Sequence, residues 1–184
     1  MNLTKLTTAA FCAALTTLLA QLAIPLPFSP VPFTGQLIGV LLTAALLGPR
    51  NGLLSVSAYL LLGAAGVPVF SLARGGMAIL SGPTGGYLWG FLPAVLIAGL
   101  LIKKQEGNSV LRYTFSLLPA VMAVYCCGAL QLGLLMQFSI SQVILVGIAP
   151  FIIFDLIKIF IVAFFSIEIK KSLRRNGLAH LIEN

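Results

Sequence analysis

The chain has 184 residues, 59% hydrophobic and only 8% charged, with a mean hydropathy of +1.09 and a net charge of +7. Soluble domains carry about a quarter charged residues, and a water-soluble core of this length cannot hide so much apolar surface. Lipid must therefore serve as the solvent, and at about 20 residues per crossing the length allows about six helices and no separate soluble domain.

Hydropathy and punctuation by Pro and Gly predict spans over Leu6–Ile24, Thr34–Leu47, Leu53–Gly66, Thr84–Ile102, Tyr113–Gln137 and Val143–Ser166. The fold class expected is an all-α integral membrane protein: one domain over residues 1–184, a bundle of six transmembrane helices. The first span is longer than a signal-peptide apolar region and is read as a membrane helix. It carries Ala9, Ala10, Ala13 and Ala14, two small-xxx-small pairs that let another helix approach closely or serve internal packing. The second and third spans have about 14 residues each, short for a full crossing. The cysteines Cys12, Cys126 and Cys127 all lie in apolar stretches without metal-ligand spacing, and are read as packing residues.

Six crossings with both termini cytoplasmic place Lys5, Arg50, Lys103, Lys104, Arg112, Lys170, Lys171, Arg174 and Arg175 on or near the inner side, and only Arg74 outside. That bias is the one the positive-inside rule requires. The net charge is thus accounted for by topology and contact with the lipid bilayer, with no need for nucleic acid as a partner.

Between the third and fourth spans, residues 67–87 hold five glycines within 75–86, including Gly75-Gly76. Such a segment permits close backbone approach to a ligand, and its apolar character predicts folding over the outer mouth. Thr84 is an expected N-cap for the fourth span. Tyr87, one turn inside, is placed to stack on a ligand or to anchor at the interface. Arg74 is either a solvated cation or one that attracts an anionic substrate. No GxxxxGK[ST] phosphate loop occurs, so an ATP-driven process needs another subunit. The sole histidine, His180, lies in the C-terminal tail away from any nucleophile, so no catalytic residues are assigned.

Within the last span stand Asp155 and Lys158, expected near the middle of a helix counted from Val143. Each charge at such depth costs about 2.5–3.5 kcal/mol on the insertion scale. Their i, i+3 spacing puts both on one helix face, which must turn inward. A structural ion pair would satisfy them, but two leucines would stabilise the bundle at least as well, so a ligand or proton role is the expectation. Pro150, shortly before the pair, is a candidate distortion of the helix.

Four segments in register with this pair carry a likeness: Pro30-Val31-Pro32-Phe33-Thr34-Gly35-Gln36, Leu47-Gly48-Pro49-Arg50-Asn51-Gly52, Gly66-Val67-Pro68-Val69-Phe70 and Leu80-Ser81-Gly82-Pro83-Thr84-Gly85-Gly86-Tyr87. With the late Asp-x-x-Lys, the chain resembles the BioY family of biotin transporters over nearly its whole length. The chain departs from the family pattern at Leu72-Ala73-Arg74 and at Phe154. The resemblance implies a substrate-binding S component of an energy-coupling factor (ECF) system in the cytoplasmic membrane, partnered by a transmembrane coupling subunit and two ABC-type ATPases that consume ATP. It implies biotin as ligand, bound by Asp155 and Lys158, with Phe33, Phe70, Tyr87 and Trp89 as candidate walls beside Arg74, Gly75 and Gly76. It also implies that the alanines of the first helix dock onto the coupling subunit. Three other readings use the same residues: an S component for another vitamin, a proton-coupled transporter with Asp155 as carrier, or a structural membrane subunit.

Overall fold

The structure is a computed structural model that describes residues 3–105, 107 and 109–182. Helix α1 (Leu3–Gln21) leads into a hairpin of β1 (Ala23–Leu26) and β2 (Ser29–Thr34), followed by α2 (Gln36–Ala64), the short α3 (Met77–Ser81), α4 (Gly85–Lys103), α5 (Val110–Met136), the short α6 (Ile140–Gly147) and α7 (Ala149–Arg175). Helices α1, α2, α4, α5 and α7 are long and apolar enough to cross a membrane.

Helix α2 is two helices. Gly48, at φ 69° and ψ −172°, breaks it in a left-handed region that glycine enters without a Cβ penalty, and Pro49 starts the second arm, where a missing N–H costs nothing. The Gln36 Nε2 donates to the Tyr59 hydroxyl at 2.5 Å. In a straight helix these residues would lie about 35 Å apart along the axis, so residues 36–47 and 49–64 run antiparallel. Two helical arms thus stand where the second and third spans are expected, joined at Gly48 rather than by the five-residue turn read from the sequence.

Close approach between helices follows from small residues. A Cβ on Gly39 would stand 2.7 Å from Thr16 Oγ1 on α1, and one on Gly90 would stand 2.8 Å from the Val124 backbone on α5. Tyr59, Phe70, Leu41, Leu117, Leu132 and Ile159 are fully buried between these elements.

Three expectations need correction. The all-α class omits the hairpin: Ala23 pairs with Thr34, Ile24 with Phe33 and Leu26 with Ser29, because prolines 25, 27, 30 and 32 forbid continuation of α1. Thr84 occupies the N-cap position of α4 but in a helical conformation, with no side-chain cap bond. The expected span Val143–Ser166 is broken at Ile148 (φ −128°, ψ −58°) into α6 and α7.

The break has a local cause. Pro150 has no N–H to offer the Val146 carbonyl four residues back, and its ring crowds that position. The Val146 carbonyl instead accepts from Ser29 Oγ at 2.7 Å, and the Gly147 carbonyl accepts from the Tyr87 hydroxyl at 2.8 Å. The hairpin and α4 thereby close the end of α6, and α7 restarts with Pro150 in its first turn.

Candidate functional site

The restart at Ala149 moves Asp155 from the expected middle of a long helix to the second turn of α7, about 9 Å from its beginning. Asp155 and Lys158 nevertheless face the bundle interior, at 6% and 7% exposure. Lys158 Nζ donates to Asp155 Oδ1 at 2.8 Å. The Tyr125 hydroxyl, from α5, donates to Asp155 Oδ2 at 2.6 Å. An ionised carboxylate accepts about four hydrogen bonds, so each oxygen retains capacity for a further donor. Lys158 also lies 4.0 Å from the centroid of the Phe33 ring, a cation–π contact that covers the ammonium from the hairpin side. Phe33 in turn meets Phe154 edge to face at 5.0 Å.

Asp155, Lys158 and Tyr125 line a cavity of about 80 Å³ whose other walls come from β2, α2, the segment before α3, α3 itself, α4, α5 and the first turn of α7. Gln36 and Thr34 add a further polar edge to the lining: Gln36 Oε1 accepts from Thr34 Oγ1 at 3.2 Å while its amide holds Tyr59. Tyr87, Phe91 and Phe151 supply aromatic wall, and Ser71 and Thr84 supply hydroxyls. A second, larger cavity of about 600 Å³ between α5, α6 and α7 also touches Tyr125 and Asp155. Its remaining lining is nearly all aliphatic and includes the exposed Leu130, Leu134 and Ile140, whereas donors and acceptors converge in the smaller one.

Of the candidate ligand contacts named in the sequence, Asp155, Lys158 and Tyr87 line this cavity, and Phe33 packs on Lys158. The others stand apart from it. Phe70 is 1% exposed and packs edge to face on Tyr59 at 5.6 Å, filling the space that Gly63 leaves. Trp89 is 43% exposed on the far face of α4, its indole N–H on the Leu80 carbonyl. Arg74 is exposed and its backbone bridges Phe70. Gly75 packs against the backbone of Val67, and Gly76 sits at φ 98° before α3. The four alanines separate: Ala9 and Ala13 are buried, while Ala10 and Ala14 are exposed beside Phe11 on the outer face of α1.

Tyr125, Gln36, Thr34 and Ser71 escaped the sequence reading. Tyr125 had a usable signal: a tyrosine hydroxyl inside a span needs a buried acceptor, and Asp155 is the acid within a span. Gln36 and Thr34 lay in the Pro-rich motif but only the hairpin turns them to one side.

The family model for the BioY family matches residues 1–175. The chain belongs to the BioY family. It is 42% identical over 148 residues to the biotin transporter BioY of Thermotoga maritima, covering 80% of this chain and 86% of the relative. It is 37% identical over 158 residues to the probable biotin transporter BioY of Pyrococcus horikoshii, covering 86% and 91%. A solved structure of the S-component for biotin from an ECF-type ABC transporter superposes with a TM-score of 0.86 at 30% identity, covering 91% of this chain and 90% of the other. As a BioY family member the chain is a multi-pass membrane protein of transporter type, not an enzyme.

Proposed function

We propose that this chain is the biotin-binding S component of an ECF-type uptake system in the cytoplasmic membrane. The observation that carries the reading is the Asp155 carboxylate, held between Tyr125 and Lys158 at the wall of a small cavity lined by the hairpin, α2, α4 and the loop bearing Ser71. Biotin presents two ureido N–H donors, a carbonyl and a carboxylate. Asp155 takes the ureido donors on its remaining lone pairs, and Lys158 meets the ureido carbonyl or the carboxylate. Tyr87, Phe91 and Phe151 enclose the fused rings. The cavity is well below the ~300 Å³ usual for a small-molecule site. Admission of the vitamin therefore requires the hairpin and the loop bearing Ser71 to move outward.

The membrane topology of this reading is a single domain with six crossings: α1, the two arms of α2, α4, α5 and α7, with both termini cytoplasmic. The positive-inside bias supports it, as does the antiparallel hairpin in α2. The energy source is external: a transmembrane coupling subunit and two ABC-type ATPases, docked through the exposed face of α1 that carries Ala10 and Ala14.

The test is calorimetry of the purified chain with biotin and with other vitamins, beside uptake in cells. Biotin should bind tightly, and Asp155→Asn or Lys158→Ala should weaken it on the order of 100-fold, the scale of truncating one partner of a buried charged pair. ATP depletion should abolish uptake; abolition by a protonophore with ATP held constant would favour a proton-coupled carrier, and selective binding of another vitamin would reassign the substrate.

A further inference from the structure

The larger of the two cavities that touch Asp155 runs between α5, α6 and α7, with a volume of about 600 Å³. Its lining is apolar apart from Tyr125 and Asp155, and those two bond to each other at 2.6 Å. One wall is α6, an eight-residue helix that buries only Val143 and Gly147.

This cavity is a groove in the surface that meets lipid. Met122, Leu130 and Leu134 of α5, Ile140 of α6, and Ile152 and Leu156 of α7 line it and are 43–82% exposed. Helices α5 and α7 are long and apolar enough to cross a membrane, so the rim is continuous with the side chains that face hydrocarbon. Along α5 the lining extends from Leu118 to Leu134, about 24 Å of helix axis, against about 15 Å for half of the hydrocarbon core.

The chemistry of the walls selects the occupant. Water needs two to four polar partners and leaves aliphatic cavities dry. A membrane helix seats against another through small residues that let the backbones approach, whereas this rim is built of Leu, Ile and Met. Left empty, the groove loses dispersion contacts along its whole lining. A flexible hydrocarbon chain from the surrounding bilayer supplies those contacts. No Asp, Glu, Lys or Arg stands between Arg112 and Asp155, through the rest of α5, the turn after it and α6. These elements offer no charge to a headgroup, so recognition rests on the chain.

We propose that this groove holds one acyl chain of a bilayer phospholipid, selected by its hydrocarbon and not by its headgroup. Tyr125 and Asp155 line both this groove and the smaller cavity, so the acyl chain supports the carboxylate that receives the vitamin. That second consequence rests on the function proposed above; occupancy of the groove does not.

The test places the full chain in bilayer discs that contain phosphatidylcholine or phosphatidylglycerol with a diazirine on the acyl chain, and maps the photocrosslinks by peptide mass spectrometry. Crosslinks should fall on groove positions such as Leu130 and Leu156 several-fold more often than on the exposed Phe11 and Leu18 of α1, and equally for both headgroups. Cys126→Trp and Met122→Trp, each filling the groove from an exposed position, should cut the groove crosslinks several-fold and leave those on α1 unchanged. In a fluorinated surfactant, whose tails do not mix with hydrocarbon, the lipid-stripped wild type should bind biotin several-fold more weakly and recover when long-chain phosphatidylcholine is added. The two Trp variants should bind biotin equally with and without lipid. Crosslinks spread evenly over α1 and the groove, a preference for one headgroup, or groove crosslinks undiminished in both Trp variants overturn the proposal. So do crosslinks that join two protein chains through the groove, which would assign it to a second copy. Wild-type affinity untouched by stripping overturns the link to Asp155. Absence of biotin binding under every condition, with the groove crosslinks as expected, would refute the vitamin reading and uphold the acyl chain.

Discussion

Tyr125 and Asp155 stand thirty residues apart in the chain and 2.6 Å apart across the α5–α7 interface. The bond fixes which way the carboxylate faces: Oδ2 is held toward α5 and Oδ1 toward Lys158, at the wall of the cavity that both residues line. A hydrogen bond to a charged group contributes about 1.5–3 kcal/mol. Tyr125→Phe should therefore weaken biotin binding about tenfold or more by calorimetry. An affinity equal to wild type would mean that Tyr125 does not orient the ligand-binding carboxylate.

The ion pair separates stability from recognition. Lys158→Met leaves Asp155 buried with one partner fewer, and breaking a buried pair costs about 3–5 kcal/mol. The double variant Asp155→Leu/Lys158→Met removes both charges and should unfold at a temperature nearer wild type than either single variant. Biotin binding should be lost in all three. A double variant that retains binding would reduce the pair to a structural role.

Gln21, at the end of α1, reaches the loop that contributes Ser71 to the cavity. Its Oε1 accepts from the Ala73 N–H at 2.9 Å and its Nε2 donates to the Phe70 carbonyl at 3.3 Å. The loop needs that support, since Leu72 and Ala73 both have positive φ, 60° and 53°, each costing about 1 kcal/mol or more outside glycine. Gln21→Ala should raise the biotin dissociation rate several-fold and increase amide exchange at residues 71–76. No change in either would remove α1 from control of the loop.

The outer and inner faces of α1 make opposite demands. Ala13→Leu should lower the unfolding temperature, because its side chain is 5% exposed and overpacking costs about 1–3 kcal/mol. Ala10→Leu and Ala14→Leu lie on the exposed face and should leave stability and biotin affinity alone while reducing co-purification with the coupling subunit. Full complex yield from both exposed-face variants would place docking elsewhere.

The broken helix can be probed at its substitute partners. Ser29→Ala leaves the Val146 carbonyl without its donor, an unsatisfied group worth about 1–3 kcal/mol. Amide exchange should rise selectively in residues 140–150, ahead of α5. Uniform exchange would show that the hairpin does not hold the break.

Membrane class, the approximate crossings, the inward turn of Asp155 and Lys158 and the family likeness are all present in the sequence. They rest on hydropathy, on the cost of charge in hydrocarbon and on helical spacing, which are local or additive quantities. Only the tertiary structure decided that Gly48 folds α2 onto itself, that Pro150 ends one helix and begins another, and that Tyr125, Gln36 and Thr34 join the site while Phe70 and Trp89 do not. Each of those outcomes depends on which distant group satisfies an orphaned backbone carbonyl or a buried hydroxyl. That choice is made across the packed interfaces between elements, where residues such as Ser29 and Val146, 117 positions apart, meet only after the chain has folded.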